Sequence, residues 1–257
     1  MKKSIFTIIT ILCALRMSGT TLVSAASNEM FAARVVHLDE FFARFNGTQI
    51  PGHIQHIADI NESRLATLCQ LFDLEGINGP DDPKAEPMLE MAHAIIKSGA
   101  TIGYEKPGWY ARATCRTSID GKQSEIVLKL RPTQAGNDAM TWSIADAEGI
   151  PLEINAPEKS KHVFLDPSGH EANFMELRRI TSENPQYITL YIVPGHEVAT
   201  LDVFATLVYY GRLHIEAVTG LEFIFENIAG YTFTVSEFER DTYNSGWLIS
   251  SFTKNEK

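Results

Sequence analysis

Apolar residues in the first part of the chain recur at helical spacing. Phe31, Val35, Leu38, Phe42 and Phe45 form one stripe of a 3.6-residue period and predict a helix ending at Asn46-Gly47. A polar connection runs from Thr48 to Ile60. Leu65, Leu68, Cys69 and Phe72 then form a second helical stripe. Gly76 to Pro87 is rich in Gly, Pro and Asp and predicts a loop. Met88, Met91, Ala92, Ile95 and Ile96 give a third helix, stopped by Ser98-Gly99.

After Gly108 the period changes to two. Trp109, Ala111, Ala113, Cys115, Thr117 and Ile119 occupy one face of a strand, and Tyr110, Arg112, Thr114, Arg116 and Ser118 the other. Asp120-Gly121 is a hairpin turn signal, and a two-residue loop fixes the register. Cys115 then faces Ile126, Ala113 faces Leu128, Ala111 faces Leu130, and Arg116 faces Glu125. Pro132 is expected at the end of the return strand, where its missing N–H does least harm. Met140, Trp142 and Ile144 predict a third strand.

Pro151 to Pro167 reads as irregular. His170 to Ile180 reads as a short helix, and Ile188 to Val193 as a strand. Leu201, Phe204, Ala205 and Val208 predict another helix, ended by Gly211. A meander of three or four strands closes the chain, carried by Leu213 to Phe225, by Tyr231, Phe233 and Val235, and by Trp247 and Ile249. The fold class expected is α+β, with N-terminal helices packed on a curved, mainly antiparallel sheet and an insertion around 148–198. A single domain over 26–257 is the first reading, and two sub-domains the second.

Residues 1–25 carry Lys2 and Lys3, an apolar run from Ile5 to Leu15, and small residues at Val23-Ser24-Ala25. This pattern predicts a secretory signal peptide and a periplasmic or secreted protein, with no transmembrane segment after cleavage. Removal takes away Lys2, Lys3, Arg16 and no carboxylate, so the formal charge moves from −10 to −13. That acidity argues against a nucleic-acid partner. The 44% hydrophobic content is that of an ordinary folded protein. Cys69 and Cys115 would then remain. An oxidising compartment permits them a single disulfide, while their apolar positions suit two buried thiols. Asn46-Gly47-Thr48 and Asn61-Glu62-Ser63 match the N-glycosylation pattern; the Lys-Lys start suits a bacterial chain, and both are read as chance.

The segment Phe41-Phe42-x-Arg44-Phe45-Asn46-Gly47, together with Asn244-Ser245-Gly246-Trp247-Leu248-Ile249, resembles small exported proteins of Bacteroidetes-type bacteria. The order of helices followed by a curved sheet is similar to the NTF2-like (cystatin-like) fold. That resemblance implies a cone of sheet around a helix. The fold hosts both enzymes and binding modules, so it does not decide function.

Candidate chemistry is sparse. Arg112 falls opposite Lys129 in the hairpin, with Arg116 and Arg131 on the same outward face. On an acidic chain, Arg112, Arg116 and Lys129 are the candidate ligand-binding set for an anion or acidic partner. A solvated face neutralised by Glu125 and other carboxylates accounts for the same residues and is preferred on energetic grounds. Gly-His-Glu occurs twice. His170, Glu171, His196 and Glu197 therefore make a weak alternative metal set, but helix starts explain both pairs more simply. His53 and His56 read as loop histidines. There is no Gly-x-Ser-x-Gly elbow, no His-Glu-x-x-His helix and no phosphate-binding glycine loop. Trp109, Trp142 and Trp247 read as core in preference to a sugar-stacking platform. No catalytic residue and no cofactor are assigned.

The function expected is an exported, soluble, non-catalytic binding or interaction protein whose partner is a small molecule or a protein. The alternative is a small periplasmic hydrolase or isomerase using acid/base residues in an NTF2-like pocket. The outward face of the sheet is either solvated or the contact of a homodimer.

Overall fold

The computed structural model describes residues 37–55, 57, 59–79, 82–134, 140–150, 176–183, 185–193, 195 and 199–256. The expected signal peptide, Phe31 and Val35, the irregular stretch 151–167 and the first residues of the helix expected at 170–180 lie outside them. The secondary structure is α+β. A six-stranded antiparallel open sheet has the order β3-β2-β1-β4-β5-β6. Its strands are β1 (Trp109–Ile119), β2 (Lys122–Gln134), β3 (Met140–Glu148), β4 (Leu213–Ile228), β5 (Tyr231–Phe238) and β6 (Gly246–Lys254). The described chain divides into two compact units, one drawn from 37–103 and 225–256, the other from 104–224.

The first unit contains helices α1 (Leu38–Asn46), α2 (Ile60–Cys69) and α3 (Ala85–Ser98). The phenylalanine stripe of α1 faces inward. Phe41 and Phe42 each lie 6.2 Å from the Phe225 ring, Phe45 stacks on Phe233 at 5.8 Å, and Phe225 stacks on Phe233 at 4.8 Å. Fully burying such rings stabilises by about 1.5–3 kcal/mol each. Gly47, with φ of 74°, ends α1, and the Thr48 N–H returns to the Ala43 carbonyl at 2.9 Å. Asp59 caps α2 by accepting the backbone N–H groups of Asn61 and Glu62. The loop expected to reach Pro87 is shorter than the composition suggested, because α3 begins at Ala85. Proline is tolerated there, since the first turn of a helix has no use for its N–H.

The second unit is built on the β1–β2 hairpin. Its register is the expected one, with Ala111 opposite Leu130, Cys115 opposite Ile126 and Arg116 opposite Glu125. Asp120 and Gly121 both have positive φ, 50° and 76°, as a type I′ turn requires. Pro132 is not at the strand end. It lies inside β2, opposite Trp142 of β3, beyond the last residue of β2 paired with β1. With a β-ladder on one side only, its missing N–H costs little. Trp109 meets Trp142 edge-to-face at 5.4 Å, and both pack on Phe223. These two tryptophans, and Trp247 of the first unit, are buried core residues, as expected.

Helix α4 (Glu176–Ser182) and helix α5 (Ala199–Tyr209) complete this unit. The strand expected at 188–193 is replaced by a 3-10 helix, Pro185–Leu190, followed by one parallel bridge of Ile192 to Ile144. Proline has the φ that opens a helical turn, and the apolar alternation of Ile188, Leu190 and Ile192 masked that start. The alternation from Leu213 to Phe225 belongs to one 16-residue strand, β4, so the closing meander has three strands.

Candidate functional site

Alternation along β1 and β2 sends Arg112, Arg116, Lys129 and Arg131 to one face, and the register sets Arg112 directly opposite Lys129. Two like charges in that position repel. The structure relieves the repulsion with neighbours. The Lys129 ammonium lies over the Tyr110 ring, 3.7 Å from its centroid, and Asp146 of β3 stands opposite Lys129 on its other side. Arg112 reaches Glu148 at 3.4 Å, and Arg116 reaches Glu216 at 3.6 Å. Gln123 donates to the second oxygen of Glu216 at 2.7 Å. The face is therefore zwitterionic, with carboxylates interleaved among the cations.

These pairs are loose. Arg112 and Arg116 keep 39% and 58% of their side-chain surface in water, at distances beyond good hydrogen-bond length. The arginines that hold structure differ. Arg212 grips Asp120 through two bonds of 2.7 and 2.6 Å, and its hydrogen bonds hold the Asp120 carboxyl below the usual carboxylate range. Arg240 spans Asp73 at 2.7 Å and Glu75 at 2.8 Å while lying over the Phe238 ring. Arg44 is buried with Glu40, one helical turn earlier.

Asp146 serves the architecture. Its Oδ1 accepts the Ala147 N–H at 2.8 Å and the Thr200 hydroxyl at 3.0 Å, which ties the start of α5 to β3. Arg112 and Arg116, by contrast, stand on rigid strand backbone with exchangeable partners. A carboxylate or other anion could displace Glu148 or Glu216 there without disturbing the core.

The other candidates fall apart differently. His170, Glu171, His196 and Glu197 lie outside the described residues, as do His56 and the side chain of His53. Among the described residues, no group of three or more His, Cys, Asp or Glu side chains is placed to hold a metal ion. Cys69 and Cys115 are free and buried, and burial pushes each thiol up to about 12. The Asn46 amide is occupied by Ile102, donating to its carbonyl at 2.8 Å and accepting its N–H at 2.9 Å. No described helix is long and apolar enough to cross a membrane.

Two features escaped the sequence reading. Tyr110 beneath Lys129 is one; its outward parity next to the cations was the available signal. The other is the pair Tyr209 and Tyr210 at the end of α5, exposed and in edge-to-face contact at 5.2 Å. Compared with known family models, curated proteins and solved structures, the chain matches none.

Proposed function

We propose that this is an exported, soluble, non-catalytic binding or interaction protein, and that the outward face of β1 and β2 is its contact surface. One observation carries the reading: Arg112 meets Glu148 only through a long hydrogen bond of 3.4 Å and Arg116 stands 3.6 Å from Glu216, both partly in water on a backbone whose register is fixed. Cations used this way cost the fold little when they change partners. Pre-positioned on strands, they lose little freedom on binding. The partner is a molecule presenting carboxylates, whether small molecule or protein. The NTF2-like assignment is supported by the order of elements alone, and export by the pattern of residues 1–25.

The test uses a fluorescent oligoglutamate peptide and the full chain, read by anisotropy at low and moderate salt. Saturable binding that weakens with salt and is lost in the Arg112→Gln, Arg116→Gln double variant, with unfolding midpoints unchanged, is the expected result. Equal behaviour of the wild-type and variant proteins would dismiss this face as the contact surface.

A further inference from the structure

Asparagine precedes glycine twice in the chain, at Asn46-Gly47 and Asn78-Gly79. A following glycine leaves the backbone nitrogen unhindered by a Cβ, so both dipeptides have the atoms needed to cyclise. The structure treats them differently. Asn46 is the last residue of α1, both ends of its amide are engaged by Ile102, and the Gly47 N–H donates to the Arg44 carbonyl at 3.1 Å. Cyclisation there must break all of these bonds and unwind a helix end.

Asn78 is exposed in the loop before α3. Its amide makes one contact at the limit of hydrogen bonding, 3.5 Å from Nδ2 to the Gly76 carbonyl. Among the described residues, no acceptor takes the Gly79 N–H. The backbone around it is anchored. The Asn78 N–H donates to Asp82 Oδ2 at 2.9 Å, the Lys84 N–H donates to Asp82 Oδ1 at 3.0 Å, and the Asp82 N–H donates to the Gly79 carbonyl at 3.3 Å. Gly79 has φ of 124°, far from a helical value. A loose, exposed side chain therefore lies next to the fixed nitrogen of a buried residue that has no Cβ to block approach.

We propose that Asn78-Gly79 is a site of spontaneous covalent modification. The Gly79 backbone nitrogen attacks Asn78 Cγ and forms the N–Cγ bond of a succinimide. The Cγ–Nδ2 bond breaks, and the amide nitrogen leaves as ammonia carrying the proton shed by Gly79. Water then adds to either imide carbonyl, leaving aspartate or isoaspartate at position 78. No oxidation state changes, and water is the only co-reactant. Each event places a new carboxylate beside Asp82. The isoaspartate also lengthens the backbone between 78 and 79, which slackens the hydrogen bonds holding the loop ahead of α3.

The experiment ages the full-length native chain in mildly alkaline, ammonia-free buffer and follows both peptides by mass spectrometry, with enzymatic isoaspartate labelling. Conversion at Asn78 should run at least about ten-fold faster than at Asn46, because the Asn46 amide and the Gly47 N–H must first leave their partners. Asn78→Gln should remove the isoaspartate label from that peptide and leave Asn46 as it was. In guanidinium chloride the two rates should converge. Equal native rates, an unmodified Asn78, or a gap that persists on unfolding would each overturn the proposal.

Discussion

Asn244 acts on Leu74 as a piece of backbone would: its Oδ1 accepts the Leu74 N–H at 2.8 Å. The same amide donates to the carbonyls of Phe72 at 2.9 Å and Gln70 at 3.4 Å. It extends a pairing already begun nearby, where the Ile249 N–H donates to the Leu71 carbonyl and the Asp73 N–H to the Ile249 carbonyl. Asn244 is buried, so these bonds form away from water. Asn244→Ala should lower stability by about 2–4 kcal/mol, as removal of a buried multi-bonded group does. Asn244→Asp should lower it further, since a carboxylate would face the two carbonyls. Urea midpoints at constant slope measure both, and an Asn244→Ala protein as stable as wild type would show that these three bonds contribute nothing to stability.

The Asp73–Arg240 pair should give the acid limb of stability its slope. Partial burial works against the ionised Asp73 carboxyl. The hydrogen bond from Arg240, the Glu75 backbone N–H and the Arg240 charge outweigh it and hold the carboxyl below its ordinary range. A folded-state value below the unfolded one adds stability that is present above the unfolded pKa and lost as pH falls through the folded value. Asp73→Asn should therefore cost about 1–2 kcal/mol near neutrality. Its difference from wild type should shrink below about pH 4, where unfolded aspartate takes up its proton. Urea midpoints measured across that interval check this. A gap between the two proteins that stays constant with pH would contradict it.

Gly149 has φ of 82°, and a Cβ placed there would lie 2.9 Å from the Glu125 carbonyl oxygen. Backbone strain and contact with an immovable backbone atom add together. Gly149→Ala should destabilise by about 2–4 kcal/mol. Gly121→Ala, where φ is 76° but the space is open, should cost less, about 1–2 kcal/mol. Reversal of that order in thermal or urea unfolding would discount the contact with Glu125.

Cys69 and Cys115 should be silent toward thiol reagents in the native state. With each thiol pushed up to about 12, almost no thiolate exists at mildly alkaline pH, and burial blocks access. Ellman's reagent should label both only after unfolding, without prior reductant. A native-state signal from either residue, or labelling that needs reductant, would contradict the free, buried assignment.

Export should leave a chain beginning at Ala26. N-terminal sequencing of protein recovered from a periplasmic or culture fraction checks this. Protein recovered with Lys2 and Lys3 intact in that fraction would reject a cleaved signal peptide.

How far the fold was legible depended on whether a local rule fixed it. The β1–β2 register followed from a two-residue turn plus alternation, and the observed pairs reproduce it from Ala111–Leu130 to Ile119–Lys122. The helix stops at Gly47, Gly99 and Gly211 followed from the need for positive φ. The signals that failed were those with two local readings. Ile188, Leu190 and Ile192 alternate like a strand, yet Pro185 starts a 3-10 helix. The candidate face was legible only in part. Parity placed Arg112, Arg116 and Lys129 together, but their partners Glu148 and Glu216 arrive from β3 and β4, through pairings that no local spacing encodes. The irregularity in the β2–β3 register between Lys129 and Leu130 moves the alignment once more, bringing Asp146 opposite Lys129. Arg44 shows the limit most plainly. It sits in a run of phenylalanines and is buried because Glu40 accompanies it.

The single parallel bridges of Phe72 on β6 and of Ile192 on β3 have a consequence for assembly. Those strands are the outermost of the sheet, the places where open sheets recruit further strands. At Ile249 and Ile144 the outward backbone groups are already spoken for, by Leu71 and Asp73 in one case and by Tyr191 and Val193 in the other. A second molecule approaching at those positions meets closed hydrogen bonds. Growth of the sheet from chain to chain is interrupted at those two positions by the molecule's own loops.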